Sequence, residues 1–149
     1  MHSNSMLLVV EDDPNDVLLL SRALRKAALS NPVQFVNDGE AAIAYLAGQG
    51  EYKDRERYPL PALVLLDLKV PRKSGLEVLA WLRLQPGLKR LPVIVLTSSK
   101  EPSDVSRAYE MGANAYLVKP AVSEALVDIV RAINLFWLRL AERPDLQAR

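Results

Sequence analysis

The chain has 149 residues, of which 50% are hydrophobic and 25% charged, and its formal net charge is +1. This composition is that of one globular domain with a sizeable core, and no run of lysine or arginine marks a nucleic-acid surface. Because there is no cysteine, disulfides and thiolate metal sites are excluded. No apolar run reaches the roughly 18 residues of a membrane span, and residues 1–5 lack the pattern of a signal peptide. We expect a cytoplasmic protein that binds neither nucleic acid nor membrane.

The first two predicted strands are each followed by a helix. Residues 6–10 form a continuous apolar run, typical of a strand buried on both faces, which leads into three acids at 11–13. A helix is predicted to start at Pro14, with the last of these acids as its N-cap. Residues 33–36 predict a short alternating strand, and the turn at 37–39 leads into the second helix.

A polar insertion precedes the third strand. Residues 48–61 are rich in Gly, Lys, Arg, Glu, Tyr and Pro, and we interpret them as a surface excursion without an assigned role. The next four residues of strand character, 63–66, are all apolar and end in Asp67. The loop after Asp67 closes with Ser74 and Glu77 in the S-x-x-E pattern of a capping box, which predicts the start of the third helix.

The remaining chain continues the same alternation. Residues 93–97 predict a fourth buried strand, and a helix follows from Pro102 to the stop signal at Gly112. Residues 115–118 predict the last strand, and a long helix begins at Ser123. Five strands that alternate with five helices predict a doubly wound α/β fold with a parallel sheet.

Four of the predicted strands end in residues that can carry chemistry. They are Glu11 with Asp12, Asp67, Thr97 and Lys119. In an open parallel sheet the carboxyl ends of the strands meet at one edge, where ligands bind. Carboxylates at close range repel one another unless a cation neutralises them, and both Mg²⁺ and the Lys119 ammonium suit that purpose. An aspartate beside a metal ion, a lysine and a hydroxyl fits phosphoryl transfer to the carboxylate.

Four motifs together resemble the response-regulator receiver domain, the CheY-like family. They are V-V-E-D-D, L-L-D-L-K-V-P-x-x-S-G, V-L-T-S-S and A-Y-L-V-K-P. The resemblance covers residues 6–140 and implies a flavodoxin-like sheet of order 2-1-3-4-5 with five helices. It also implies a single-domain response regulator of a two-component system, which a histidine kinase phosphorylates and which signals through altered protein contacts. An intermediate phosphate carrier in a phosphorelay is the alternative.

The resemblance assigns the metal ligands and the phosphoacceptor. Asp67 is implied to accept the phosphoryl group, and Asp12 and Asp67 to bind Mg²⁺ directly. Glu11 would act mostly through water, and the main-chain carbonyl of Lys69 would complete the protein ligands. The family is not one of enzymes in the usual sense, because at most it catalyses its own aspartyl phosphorylation and dephosphorylation.

The resemblance also implies a switch. Thr97 and Lys119 would hold the phosphoryl oxygens, and phosphorylation would draw Thr97 toward the phosphoryl group. The ring of Tyr116 would then turn inward, the alternative being a strand tyrosine without such motion. The peptide bond between Lys119 and Pro120 is expected to be cis, as is usual in receiver domains.

A narrower resemblance points to the stand-alone regulators that partner bacterial and cyanobacterial phytochromes. It rests on residues 37–41, the insertion at 48–61 and the aromatic close at 136–138. The last helix has one apolar stripe that runs from Leu126 to Leu140, and four further apolar residues lie off it: Val127, Leu135, Phe136 and Leu138. These favour a homodimer through the last strand and helix; the alternative is that the tail folds back over the insertion.

We divide the chain into a disordered leader, a receiver domain with no output domain, and a tail: residues 1–5, 6–142 and 143–149.

Two other families use similar parts and fit less well. Haloacid-dehalogenase-like phosphatases also have an aspartate nucleophile and Mg²⁺, but they expect a second aspartate two residues later, where this chain has Lys69. A flavodoxin-like flavin binder needs a phosphate-cradling loop after the first strand, and the acids at 11–13 would repel a phosphate there.

Overall fold

The computed structural model describes residues 5–146, so most of the predicted leader lies outside the described residues. Five strands form one parallel sheet in the order β2-β1-β3-β4-β5, which confirms the predicted topology. The strands are β1 (Leu7–Val10), β2 (Val33–Val36), β3 (Leu63–Leu66), β4 (Val93–Thr97) and β5 (Ala115–Val118). The three central strands are buried along their whole length, which explains their unbroken apolar sequences.

Helices cover both faces of the sheet. They are α1 (Pro14–Lys26), α2 (Gly39–Ala47), α3 (Gly75–Arg83), α4 (Pro102–Glu110) and α5 (Ser123–Ile133). The core between the sheet and α1 and α5 is separate from the core on the opposite face, beneath α2, α3 and α4. The predicted caps are present: the Asp13 carboxylate accepts from the Asn15 N–H at 2.8 Å, and Ser74 with Glu77 forms a capping box at α3.

The insertion at 48–61 is a packed unit, with a short 3₁₀ helix at Gly50–Lys53. The rings of Tyr52 and Tyr58 pack against each other and against Tyr45 of α2, with centroids 4.9–6.0 Å apart. Arg55 donates to the Tyr45 carbonyl at 2.8 Å and to the Leu46 carbonyl at 2.9 Å, so it caps the carboxyl end of α2. The insertion is therefore anchored to α2, a feature that its polar composition did not indicate.

The end of the last helix corrects the predicted apolar patch. Asn134–Leu140 continues α5 as a π-helix, and the Ala141 N–H donates to the carbonyl five residues earlier at 2.7 Å. The prediction assumed 3.6 residues per turn throughout, and a π-helix takes more residues per turn. As a result Leu138 is buried in the core while Leu140 is exposed. The inclusion of Leu138 in the surface patch was therefore wrong, and Val127 of α5, which was also predicted to lie off the stripe, is buried.

The tail lies against the amino ends of the strands. Leu146 packs on the core beneath α2 and α3, the Asp145 carbonyl accepts from Arg90 at 3.1 Å, and Arg143 donates to the Ser5 hydroxyl. Residues 142–146 line a cleft of about 510 Å³ with the segments that precede β3 and β4. Within residues 5–146, the structure contains no helix of the length and apolarity that crossing a membrane requires.

Candidate functional site

The Asp67 carboxylate lies buried at the carboxyl end of β3 and is held through both oxygens. Its Oδ1 accepts from the Thr97 hydroxyl at 2.8 Å and from the Lys69 main-chain N–H at 3.0 Å. Its Oδ2 accepts from the Lys119 ammonium at 2.6 Å. The Asp67 N–H donates to the Val10 carbonyl at 3.1 Å, so the pairing of β3 with β1 fixes the main chain that carries the carboxylate.

Lys119 follows β5 and brings its ammonium into the centre of an acidic group. The Nζ atom lies 2.5 Å from Glu11 Oε1, 2.7 Å from Asp16 Oδ2 and 2.6 Å from Asp67 Oδ2. Its main-chain N–H donates to the Thr97 carbonyl at 2.8 Å, which ties the end of β5 to β4. The ammonium thus neutralises carboxylates that come from three different elements of the chain.

The structure brings together four predicted residues, Glu11, Asp67, Thr97 and Lys119. Asp12 is exposed, and the three carboxylates that lie within 4.8 Å of one another in the described chain are those of Glu11, Asp16 and Asp67.

Asp16 was not among the predicted residues of this site. The signal was available, because Asp16 lies in the first turn of α1. In a β-α unit of a parallel sheet, that turn lies at the same edge as the strand's carboxyl end.

Glu11, Asp67 and Lys119 have shifted pKa values. Burial raises the pKa of Glu11 from 4.5 to about 7, although the hydrogen bond from Lys119 opposes the shift. Burial also opposes ionisation of Asp67, but hydrogen bonds from Lys119, from the Lys69 N–H and from Thr97 outweigh it and lower the Asp67 pKa. Burial disfavours the charged form of Lys119, yet its carboxylate partners raise the Lys119 pKa overall. Asp67 and Lys119 are therefore ionised at neutral pH.

Thr97 and Tyr116 connect the site to the surface of β5. Thr97 is fully buried, and the half-buried Tyr116 donates its hydroxyl to the Ser99 carbonyl at 2.9 Å. The Tyr116 N–H in turn donates to the Tyr109 hydroxyl of α4 at 3.1 Å. The two hydrogen bonds of Tyr116 together link β5 to α4 and to the loop after Thr97. The predicted switch would act through these contacts.

The predicted cis bond between Lys119 and Pro120 is wrong. The structure contains no cis peptide bond among the residues it describes. The trans isomer is the more stable form of an X–Pro bond by about 0.5–1 kcal/mol, and in this turn it is compatible with the Lys119 contacts described above.

Gly75 brings the first turn of α3 into contact with the main chain of Asp67. A methyl group on Gly75 would lie 2.4 Å from the Asp67 carbonyl oxygen and 2.7 Å from the Cα of Leu68. The Gly75 N–H donates to the Leu68 carbonyl at 3.0 Å. The absence of a side chain therefore lets the helix support the residue that carries the central carboxylate.

The sequence pattern of the response regulator receiver domain family matches residues 7–131 of this chain. The chain belongs to this family. The receiver domain is also similar over nearly its full length to Rcp1 of Synechocystis sp., with 41% identity over 139 residues, 93% of this chain and 92% of Rcp1. These matches confirm the predicted family.

Solved structures of response regulators share the fold of this receiver domain. The phosphorylated cyanobacterial phytochrome response regulator RcpA is 39% identical, with a TM-score of 0.87 over 95% of this chain and 99% of RcpA. RPA3017, from red light signaling of R. palustris, is 38% identical, with a TM-score of 0.89 over 94% of this chain and 98% of its own. The Mn²⁺-bound form of Rcp1 is 41% identical, with a TM-score of 0.83 over 94% of this chain and 99% of that structure.

The donor set of this receiver domain fits a hard divalent cation. Glu11, Asp16 and Asp67 each offer a carboxylate oxygen within 4.8 Å of the others, and Glu11 and Asp67 are buried. Mg²⁺ and Mn²⁺ prefer oxygen ligands of this kind. The acidic pocket of the receiver domain is thus a site for a divalent metal.

Proposed function

We propose that this receiver domain accepts a phosphoryl group on Asp67 from a histidine kinase, requires Mg²⁺, and signals through altered protein contacts. The observation that carries the proposal is the environment of the Asp67 carboxylate. It is ionised, and it lies between the cationic Lys119 and the hydroxyl of Thr97 in an acidic, metal-compatible pocket. The chain covers 92% of Rcp1, a response regulator, which supports a signalling role.

The chemistry needs positioning and charge neutralisation more than proton transfer. An Asp67 carboxylate oxygen attacks the phosphorus of phosphohistidine, the bond from phosphorus to nitrogen breaks, and the imidazole leaves with the electron pair. Because Asp67 is already ionised, no general base is needed. Thr97 and Lys119 would donate to the phosphoryl oxygens. We propose that Asp67, Asp12 and the Lys69 carbonyl, with Glu11 through water, would hold Mg²⁺, although Asp12 is exposed and lies outside the carboxylate cluster in this structure. The ion would supply positive charge to the transferring phosphoryl group.

We infer that the donor is a phytochrome-type histidine kinase. The support is the likeness to RcpA, a phytochrome response regulator, and to RPA3017, from red light signaling. In a reconstituted mixture, such a kinase should transfer labelled phosphate to this chain faster than an unrelated histidine kinase does. Equal transfer from both kinases would contradict the partnership but leave the phosphoacceptor role intact.

The phosphoacceptor role is tested with a small donor. Acetyl phosphate and Mg²⁺ should add one phosphoryl group to the parent chain, measured by intact mass. Asp67→Asn keeps the shape of the side chain and removes the nucleophile, so it should add none. Removal of Mg²⁺ with a chelator should abolish uptake by the parent. An Asp67→Asn chain that still acquires a hydroxylamine-labile phosphate would refute the assignment.

We also propose a homodimer that uses the outer face of β5 and the end of the last helix. Leu135 and Phe136 are 56% and 55% exposed, and Phe136 stacks edge-on against Trp137 with ring centroids 5.2 Å apart. Beside them is an apolar groove of about 210 Å³, lined by Leu117 of β5 and Ile129 of α5 among others. A second copy would cover the same patch on both partners, and each large side chain buried would contribute on the order of 2 kcal/mol.

The dimer is tested by sedimentation of the parent, Phe136→Glu and a control. Leu84 is 79% exposed at the end of α3, so Leu84→Glu introduces the same charge away from the patch. We expect a dimeric parent at micromolar concentration, a monomeric Phe136→Glu and a dimeric Leu84→Glu. A monomeric parent, or a Phe136→Glu dimer as tight as that of the parent, would contradict the proposal.

A further inference from the structure

Asp16 contacts the Lys119 ammonium from a different direction than the other two carboxylates. Glu11 and Asp67 follow strands, whereas Asp16 comes from the first turn of α1. The Asp16 side chain is 31% exposed, against 5% for Glu11 and 7% for Asp67. An ammonium has three protons to donate, so these three contacts occupy all of them.

The three partners would not keep their roles when the pocket is in use. On the function proposed above, Asp67 becomes phosphorylated, and the metal ion binds near Glu11 and Asp67, which follow β1 and β3. Both events give Asp67 and Glu11 new partners of high charge. Asp16 belongs to the cluster of three carboxylates, but it is the most exposed of them and is not among the ligands proposed above for Mg²⁺, namely Asp67, Asp12, the Lys69 carbonyl and, through water, Glu11. The proposed ligand set therefore leaves the contact between Asp16 and Lys119 in place.

We propose that Asp16 is a positioning residue for Lys119, which holds the ammonium beside Asp67 while the metal ion and the phosphoryl group occupy the other two carboxylates. A lysine stem is flexible, and an ammonium without a fixed partner would spend time in solvent. The charge-assisted hydrogen bond from Asp16, 2.7 Å long in this structure, restricts that freedom. The inference rests on the proposed phosphoacceptor function.

The test compares Asp16→Asn with Asp13→Asn in phosphorylation by acetyl phosphate. Each variant removes one carboxylate from the amino end of α1, and Asn retains the capping ability of Asp13. At saturating Mg²⁺ we expect Asp16→Asn to phosphorylate about tenfold more slowly than the parent, the low end of what loss of an orienting partner costs. Asp13→Asn should stay within twofold of the parent, roughly the scatter expected of a solvent-exposed site. The Mg²⁺ concentration that gives half the maximal rate should change less than the rate does.

A double-mutant cycle tests whether Asp16 acts through Lys119. In a Lys119→Met background, Asp16→Asn should slow phosphorylation no further. An equal loss in both backgrounds, an equal loss in Asp13→Asn, or no loss in Asp16→Asn would each overturn the inference. A change confined to the half-saturating Mg²⁺ concentration would make Asp16 a metal ligand and also overturn it. A parent that takes up no phosphate would refute the proposed function itself, whereas the other outcomes leave that function intact.

Discussion

Two half-buried cations, Lys119 and Arg83, lie at opposite ends of the sheet and have opposite kinds of partner. At the carboxyl end, Lys119 is surrounded by carboxylates. At the amino end, Arg83 of α3 donates twice to the Gly112 carbonyl, at 2.7 and 3.0 Å, and to the Leu91 carbonyl at 2.7 Å. It also donates to the Lys89 carbonyl at 2.9 Å.

The difference teaches which end of the molecule can change its occupants. The carbonyls around Arg83 are neutral and are fixed by loop geometry. The planar guanidinium group satisfies them as hydrogen-bond acceptors, and they carry no net charge that would attract another cation. The carboxylates around Lys119 carry more negative charge than one ammonium neutralises, and a metal ion can take over part of this neutralisation. The amino end therefore serves stability and the carboxyl end serves binding.

The largest effect on stability should come from Arg83→Met. The change leaves the Gly112 and Leu91 carbonyl oxygens without their donor, and partly buried polar groups without a partner cost about 1–3 kcal/mol each when water does not replace the donor. We expect a loss of about 3 kcal/mol in urea unfolding with an unchanged rate of phosphorylation per folded molecule. Arg22→Met, at an exposed position of α1, serves as the control and should change stability by less than about 0.5 kcal/mol. An Arg83→Met chain as stable as the control would break the comparison.

Gly75→Ala should have the next largest effect and should act on both stability and the site. The added methyl group would collide with the main chain of Asp67, which must shift. Overpacking of this kind costs on the order of 2 kcal/mol, and the phosphorylation rate should fall with it. Gly87 is the matched control, because a methyl group there meets nothing within 4 Å. Equal behaviour of the two variants would show that the close approach of α3 to Asp67 is unimportant.

Mg²⁺ should partly restore the stability that is lost in Lys119→Met. Without Lys119 the three carboxylates lose their internal cation, and the metal ion loses a competitor. Mg²⁺ should bind as tightly as in the parent or more tightly, and it should raise the melting temperature of Lys119→Met more than that of the parent. We expect the difference in stabilisation to be on the order of 1 kcal/mol, as mass action allows. Mg²⁺ should give Arg83→Met no more than the increment of the parent. Equal increments for Lys119→Met and the parent would contradict the exchange of cations.

The sequence predicted the strand ends well and the side-chain partners less well. Asp67, Thr97 and Lys119 could be found because each follows an apolar run, and a parallel sheet brings such ends together. Asp16 was missed because only residues at the strand ends were considered, although the first turn of α1 lies at the same edge of the sheet. Arg83 and Arg55 bind main-chain carbonyls from distant segments, and carbonyls carry no sequence signal.

Leu138 shows where periodicity fails. The sequence around it predicts a continuous α-helix, and the π-helix at Asn134–Leu140 changes which side chains face the core. The predicted order of the strands, in contrast, is confirmed. The resemblance to receiver domains had indicated this order, and the fully apolar sequence of residues 63–66 agreed with it. The strands and the residues at their ends thus follow from local sequence and the strand order from the family resemblance, whereas helix rotation and the contacts of Arg83 and Arg55 with main-chain carbonyls follow from packing.

The smallest expected effect is the pH dependence that Glu11 gives to the metal-free chain. Its pKa is raised from 4.5 to about 7, so between these values the folded chain binds more protons than the unfolded chain. Stability should therefore fall as the pH rises through this window. The lowered pKa of Asp67 acts with the opposite sign, but only below about its ordinary value of 3.8. Urea midpoints of the parent and Glu11→Gln at several pH values check this: the variant should show the flatter profile, and identical profiles would contradict it.

The measurement that tests the central claim most directly is the location of the phosphoryl group. Borohydride reduces an aspartyl phosphate to homoserine, so peptide mapping after phosphorylation and reduction reports the modified position. We predict homoserine at position 67 in the parent and at no other aspartate of the site. Homoserine at position 12 or 16, or phosphate uptake with none at 67, would contradict the account.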